Sequence, residues 1–290
     1  MLMILVSGAT GTAGKEIVLQ LASLGILTKA LVRDMAKATP FRGKCVHVAV
    51  GDLNEPTTLE EAFQAVDRAM LLPANNANQV EQERTFIDVA KRAGVQHIVK
   101  FSALGADDPK SASRIIRWHA EAEDYLEASG LAWTHLRPCI FMQNLLGSAA
   151  SIAGQGAFYS PLGDTRVAHV DVRDIAAVAL KTLTERGHEG KAYTITGPEA
   201  LTYSEVAEKL TAALGKPVRH VDVPPEQFKQ SLLGAGMPDW SADALLEIFE
   251  HVVKPLGAQV TNVIAEIARK APITFDQFTR DNAAAFSGKQ

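Results

Sequence analysis

The sequence predicts an α/β fold: a doubly wound parallel Rossmann sheet with a smaller, mainly helical C-terminal domain on the substrate side. Three observations carry this. Strand-length apolar runs recur through the first half of the chain, segments with helical spacing separate them, and a glycine-punctuated turn follows the first run at once. Strands alternating with helices pair in parallel through right-handed crossovers, which gives an open sheet covered on both faces.

The predicted strands are 3–6, 29–32, 46–50, 69–72, 97–101 and 133–137. Between them Ile17, Leu21 and Leu24 recur at helical spacing, as do Leu59, Ala62 and Phe63, and then Phe86, Val89 and Ala90. The second strand runs into Arg33-Asp34 and the third into Gly51-Asp52, so both ends fall on the carboxyl edge where such sheets bind ligands. Beyond Arg137 the texture changes. Gly154, Gly156, Pro161 and Gly163 mark a loop-rich stretch, and a helical pattern begins at Asp174. A strand follows at 192–196, then a helix at 202–214 with Thr202 or Ser204 as its N-cap, and helical runs at 243–253 and 260–269. Residues 1–150, with a return at 167–197, form the Rossmann domain, and 151–166 with 198–290 form the smaller one. The stretches 154–163 and 232–240, the latter with Gly234, Gly236, Pro238 and Trp240, are suited to a movable cover over the sheet edge or to plain connections.

With 290 residues, 47% of them hydrophobic and 21% charged, the chain can bury a large core. A net charge of −4 without a lysine or arginine cluster offers no footprint for nucleic acid or an anionic membrane, so a small molecule is the expected partner. Cys45 and Cys139 lie far apart and imply neither a disulfide framework nor a metal site. The apolar start, 1–6, is too short for a signal segment, and no run reaches the roughly eighteen residues of a membrane span. A cytoplasmic protein is expected, as a monomer or homodimer.

Ser7-Gly8-Ala9-Thr10-Gly11-Thr12-Ala13-Gly14 sits between the first strand and an amphipathic helix, the context a dinucleotide-binding turn requires. Gly8 permits the turn, Gly11 lets backbone approach a pyrophosphate, and Gly14 lets helix and strand pack closely. The helix N-terminus then directs amides and its positive dipole end at phosphate, with Thr10, Thr12 and Ala13 lining the same turn. At the end of the second strand an acidic residue would bind the ribose hydroxyls of NAD, whereas an arginine accommodates the phosphate of NADP. Arg33 stands there with Lys37 beyond it, which points to NADP(H). Asp52 reads equally as an adenine contact or as a turn aspartate.

Together with these motifs, Leu31-Val32-Arg33, Gly51-Asp52-Leu53, Ala93-Gly94-Val95-Gln96-His97-Ile98-Val99, His119-Ala120-Glu121-Ala122-Glu123 and Thr134-His135-Leu136-Arg137-Pro138 resemble the NmrA-like branch of the atypical short-chain dehydrogenases. The resemblance covers nearly the whole chain. It implies NADP(H) as ligand, Asp52 and Leu53 beside the adenine, Leu72 and Pro73 under the cofactor, and Pro138, Phe141 and Asn144 at the nicotinamide pocket. Such proteins divide into reductases of quinones, dyes and plant phenolics, and catalytically silent redox sensors that bind regulatory proteins.

The wider short-chain group carries a tyrosine four residues before a lysine on the helix after the fifth strand. Here Ile115 takes the tyrosine place and His119 the lysine place, as in quinone-reductase-like members. Isoleucine moves no proton, so His119 is the catalytic candidate, either donating a proton or holding the nicotinamide ribose. Ser102 matches the serine of the wider group's catalytic set or is a turn hydroxyl. Trp118 and Phe141 offer apolar faces to a flat aromatic substrate, or belong to the core. Asp171 and Asp174 read as helix capping residues. The expected activity is an NADPH-dependent reduction of a quinone-like or azo-like acceptor by direct hydride transfer, without metal or flavin. The alternative is a silent NADP(H) sensor that binds another protein.

Overall fold

The structure is a computed structural model and describes residues 2–42 and 45–288. In chain order the first half reads β1 (Met3–Val6), α1 (Thr12–Ser23), β2 (Leu27–Val32), β3 (Val46–Val50), α2 (Pro56–Ala62), β4 (Arg68–Leu71), α3 (Gln79–Arg92), β5 (His97–Phe101), α4 (Arg114–Ala128) and β6 (Ala132–Pro138). The second half reads α5 (Ala149–Gln155), β7 (Ala157–Ser160), α6 (Val172–Thr184), β8 (Lys191–Ile195), α7 (Tyr203–Leu214), β9 (Arg219–Asp222), α8 (Pro225–Gly234), α9 (Asp239–Ile248), and the short helices α10 (Lys254–Leu256), α11 (Phe275–Asp281) and α12 (Ala283–Phe286). Seven strands form one parallel sheet in the order β3-β2-β1-β4-β5-β6-β8. The order reverses between β1 and β4, so the connections leaving these two paired strands pass to opposite faces of the sheet and leave a crevice at its carboxyl edge, the place where doubly wound sheets take ligands.

β1 shows why the sheet is covered on both faces. Ile4 and Val6 pack with Ile17, Val18 and Leu21 of α1 and Ile175 and Val178 of α6. Leu5, pointing the other way, packs with Leu59, Phe63, Phe86 and Ile87 around α2 and α3. All three are fully buried, which is the continuous apolar run expected of a parallel strand.

Strand ends differ from the sequence reading by one or two residues, as at β2, where pairing to β1 begins already at Leu27. Three segments differ in kind. The expected loop 154–163 carries the end of α5, a left-handed Gly156 (φ 60°) and β7, which pairs in parallel with β9 in a second, two-stranded sheet. The expected loop 232–240 is the end of α8, a four-residue turn and the start of α9. The run 260–269 is not a continuous helix: its one helical turn is Ile264–Ala268, and Arg269 closes it at φ 56°. By contrast 243–253 is helical throughout, as α9 followed by a π-helical turn, Phe249–Val253. Lys229 bonds Asp239 and Asp243, which ties α8 to α9, and a two-pronged Arg114–Glu247 pair fastens α9 to α4. These contacts hold the α9 end and the π turn beside the sheet edge.

Candidate active site

A cleft of about 640 Å³ runs along the carboxyl edge from β3 to β6. At its centre is the turn after β1. Gly8 has φ 58°, and a Cβ there would stand 2.9 Å from both Cβ and O of Leu72. At Gly14 a Cβ would stand 2.2 Å from the carbonyl oxygen of Gly8, so the first turn of α1 lies directly on the backbone of the loop. Ser7 locks this loop to β4: its hydroxyl accepts from the Leu72 amide at 2.8 Å and faces the Met70 and Leu72 carbonyls at 3.2 and 3.3 Å. Gly11 at the N-cap of α1 gives no side-chain cap, and no acidic residue occupies the first turn. The α1 amides are thus left for an anion.

Arg33 and Lys37 line the cleft beyond the turn, both exposed, and among the described residues neither is in an ion pair. Asp34, which could have neutralised Arg33, instead accepts from the Ala36 amide at 2.9 Å and caps the 3₁₀ turn that carries Lys37. Asp52 closes a turn of its own, accepting from the backbone and side-chain nitrogens of Asn54 at 2.9 and 2.8 Å, and it also lines the cleft. The turn reading of Asp52 from sequence is thus met, and its place on the cleft leaves it available to an adenine. Sequence reasoning missed the amide chain next to it: Asn76 bonds Gln82, and Gln82 bonds Asn54. These three residues also line the cleft, and no spacing rule marks such scattered amides.

The other end is apolar. Leu104, Ile115, Phe141, Ile248, Val252 and Val253 line it, with the rings of Phe141 and Phe101 perpendicular and their centres 6.0 Å apart. Cys139 shares this wall, its thiol pushed up to about 11 by burial, so it is no nucleophile. Gly8, Thr10, Gly11, Thr12, Ala13, Gly14, Leu53, Leu72, Pro73, Ser102, His119, Pro138 and Asn144 all reach the cleft, as the sequence places them. Trp118 does not. It is half-buried on α4 and packs near Trp240, ring centres 6.4 Å apart, because at one residue from His119 it points a quarter-turn or more away from the cleft.

His119 is buried, and its Nδ1 meets Lys100 Nζ at 3.1 Å. Among the described residues its Nε2 has no hydrogen-bond partner, and His119 lines the cleft. Burial, reinforced by the Lys100 charge, holds the imidazole well below its usual range, so it is neutral at physiological pH. An ammonium has donors alone, so Nδ1 accepts and the ring proton sits on Nε2. Behind Lys100 lies Glu83, 2.5 Å away, both side chains wholly buried. Gln79 donates to Glu83 at 3.0 Å. Burial pushes the Glu83 carboxyl up, opposed by Lys100. The Ser102 hydroxyl is buried beside the cleft and has no partner among the described residues. Lys100 and Glu83 were missed by sequence reasoning, although a lysine inside the run His97–Phe101 and a glutamate on the buried face of α3 were the signals available. Asp171 and Asp174 serve structure: Asp171 caps α6 through the Arg173 amide, and Asp174 takes Lys270 and the Ile273 amide. Among the described residues there is no cluster able to hold a metal ion and no helix long and apolar enough to cross a membrane.

The chain matches the model of the NmrA-like family over residues 2–279, and it belongs to that family. It is 44% identical over 284 residues to an NAD(P)H azoreductase of Xenophilus azovorans, covering 98% of this chain and 99% of the relative. Its structure superposes with a TM-score of 0.86 on the NADPH-dependent quinone oxidoreductase of Escherichia coli in complex with NADPH, at 29% identity, covering 96% of this chain and 99% of that one. The triphenylmethane reductase of Citrobacter sp., in complex with NADP(H), superposes at 0.84 with 25% identity, over 97% of this chain and 99% of the other.

Proposed function

We propose that this NmrA-like protein is an NADPH-dependent reductase of small, flat, electrophilic acceptors, quinones and azo compounds. The observation that carries the reading is the continuity of one cleft, from two unpaired cations at one end, across a bare helix N-terminus, to an apolar slot with a single polar side chain from α4 at the other. A silent sensor has no use for the slot. The likeness to an azoreductase and a quinone oxidoreductase over almost their whole lengths supports the same choice of chemistry.

The residues present fit NADP(H). The α1 amides would take the pyrophosphate, Arg33 and Lys37 the ribose phosphate, and Asp52 with the Asn54–Gln82–Asn76 chain the adenine end. Leu72 and Pro73 would lie under the cofactor, with Pro138 and Asn144 near its nicotinamide end. When bound, the cofactor supplies a hydride. The chain itself supplies an apolar slot, from which Phe141, Ile115 and Val252 exclude water, and a neutral His119 whose Nε2–H donates to the acceptor oxygen or nitrogen as charge develops there. Ile115 in place of a phenol leaves His119 and Ser102 as the hydroxyl-bearing or ring-nitrogen groups at hand, and a strongly electrophilic acceptor asks for little more. The two free cysteines suit a reducing cytoplasm.

The test is direct. Purified protein is mixed with NADPH and a panel of simple quinones and azo dyes, and loss of dihydronicotinamide absorbance is followed. Steady oxidation with a quinone or azo dye is expected. NADPH that binds yet stays unoxidised across the panel would replace this reading by that of a sensor.

A further inference from the structure

The Glu83–Lys100–His119 line uses three buried polar side chains on three elements, α3, β5 and α4, and its far end opens to the cleft. A buried lysine needs a partner, and a single carboxylate would suffice; the second contact, to an imidazole nitrogen, is not needed for stability. It has a chemical consequence. A neutral imidazole is a very weak acid unless its other nitrogen gains a proton while the first is lost, and here a proton donor stands on that other nitrogen.

Building on the reductase reading, we propose that Lys100, held by Glu83, is the proton source for the reduced acceptor, with His119 as the conduit. Hydride arrival leaves the acceptor with an anionic oxygen or nitrogen. The Nε2–H bond of His119 breaks, its proton joins that atom, and the electron pair stays on Nε2. At the same time Nδ1 takes a proton from Lys100 Nζ, whose N–H pair remains as the amine lone pair. The imidazole stays neutral throughout, with its proton moved from Nε2 to Nδ1. After product leaves, one proton from the medium reaches Nε2 through water in the cleft, the Nδ1–H bond breaks as its proton joins the Lys100 lone pair, and the cycle has consumed one solvent proton. The other charged and titratable groups around the line are Glu123, which pairs with Arg137 at 2.5 Å, and His135 beside them on β6. Glu123 is engaged by Arg137, which also reaches Asp107 at 3.9 Å, and His135 is held neutral, at about 3, first by burial, so neither competes for the Lys100 proton. Lys100 touches no substrate and acts through His119.

Lys100→Met alone strands the Glu83 carboxylate, so the informative variant is the double substitution Glu83→Gln/Lys100→Met, which removes both charges together. A quinone needs a proton after the hydride. A cationic triphenylmethane dye does not, because hydride addition to its central carbon yields a neutral product directly. The double variant should lose about a hundredfold in turnover with a quinone, in the range general acid catalysis contributes, and should lose the solvent deuterium effect of the parent protein. Dye reduction and NADPH affinity should stay within about twofold. Equal losses on both acceptors, or none on the quinone, overturn the proposal. A readout independent of turnover is the ¹⁵N-resolved tautomer of His119 with NADP⁺ bound: a proton on Nε2 in the parent protein, and on either nitrogen in the double variant. A parent proton on Nδ1 overturns the proposal even if reduction is observed. If NADPH oxidation fails with every acceptor while the tautomer is as stated, it is the reductase reading that falls.

Discussion

Arg33 shows how far a single residue can be read from sequence. Its place after β2 was legible because a strand-ending position faces the cofactor edge whatever the rest of the fold does, and its freedom from Asp34 was not, because that rests on Asp34 turning back to cap Ala36. An unpaired guanidinium in the cleft makes a strong contact to phosphate, worth about 1.5 to 3 kcal/mol when charge-assisted. Arg33→Ala should therefore narrow the preference for NADPH over NADH by roughly tenfold or more, through weaker NADPH binding with NADH binding unchanged, as titration of each cofactor measures. Equal affinity of the parent protein for both cofactors would show that the cation pair does not select. The site was less legible where the residue's partner is remote in sequence. His119 was reachable from its position on α4, but the neutral state and the Nε2 proton come from Lys100 and Glu83, nineteen and thirty-six positions upstream on other elements. Trp118 went the other way: its apolar ring suggested a substrate wall, and one step of helical rotation carried it toward Trp240 instead.

Elements were legible where period and context agreed, and misread where glycine and proline end helices instead of making loops. The four residues between α8 and α9 include Gly236 at φ 87° and Pro238 at the N-cap of α9. The same residue types fill irregular loops, so composition could not separate a tight helix-helix turn from a cover. α1 was the opposite case, a strand, a glycine turn and an amphipathic run in immediate succession. Its function as an anion site depends on how closely it sits on the loop. Gly14→Ala places a methyl where the Gly8 carbonyl stands, 2.2 Å from its oxygen, and neither backbone can yield without moving the amides. That overpacking should cost about 1 to 3 kcal/mol of stability, and NADPH affinity should fall at least tenfold because the α1 amides are displaced. Gly147 is exposed with nothing within 4 Å of a built Cβ. Gly147→Ala should thus leave both melting temperature and NADPH titration unchanged, and a Gly14→Ala protein that matched it would remove α1 packing from the account of binding.

For the molecule as a whole, the buried histidines set a pH dependence that no single site reveals. His97 and His169 are held at about 4 and His135 at about 3, in each case first by burial, with nearby cations adding to the effect at His97 and His135. In the unfolded chain each titrates near 6.5. The sign follows from the depression: the native state refuses protons that the unfolded state accepts, so stability is full above about pH 6.5 and drains as pH falls toward about 4. With His119, which burial also holds well below its usual range, four extra protons on the unfolded chain give a slope of about 5 kcal/mol per pH unit near pH 5. Glu83 trims this, since burial raises its carboxyl and the native state gains a proton there on acidification. The melting temperature should therefore drop steeply between pH 6.5 and 5, before the ordinary carboxylates titrate. His169 isolates one proton of the sum, because its ring meets the Val167 carbonyl and the Tyr203 hydroxyl and no acid. His169→Gln keeps polar groups there without a titrating nitrogen, and it should lower the melting temperature at pH 7.5 while flattening its fall toward pH 5 by about a quarter. A parent melting temperature that is level from pH 7 to 5, and declines solely below 4, would assign acid sensitivity to the surface carboxylates and leave the buried imidazoles without a part in it.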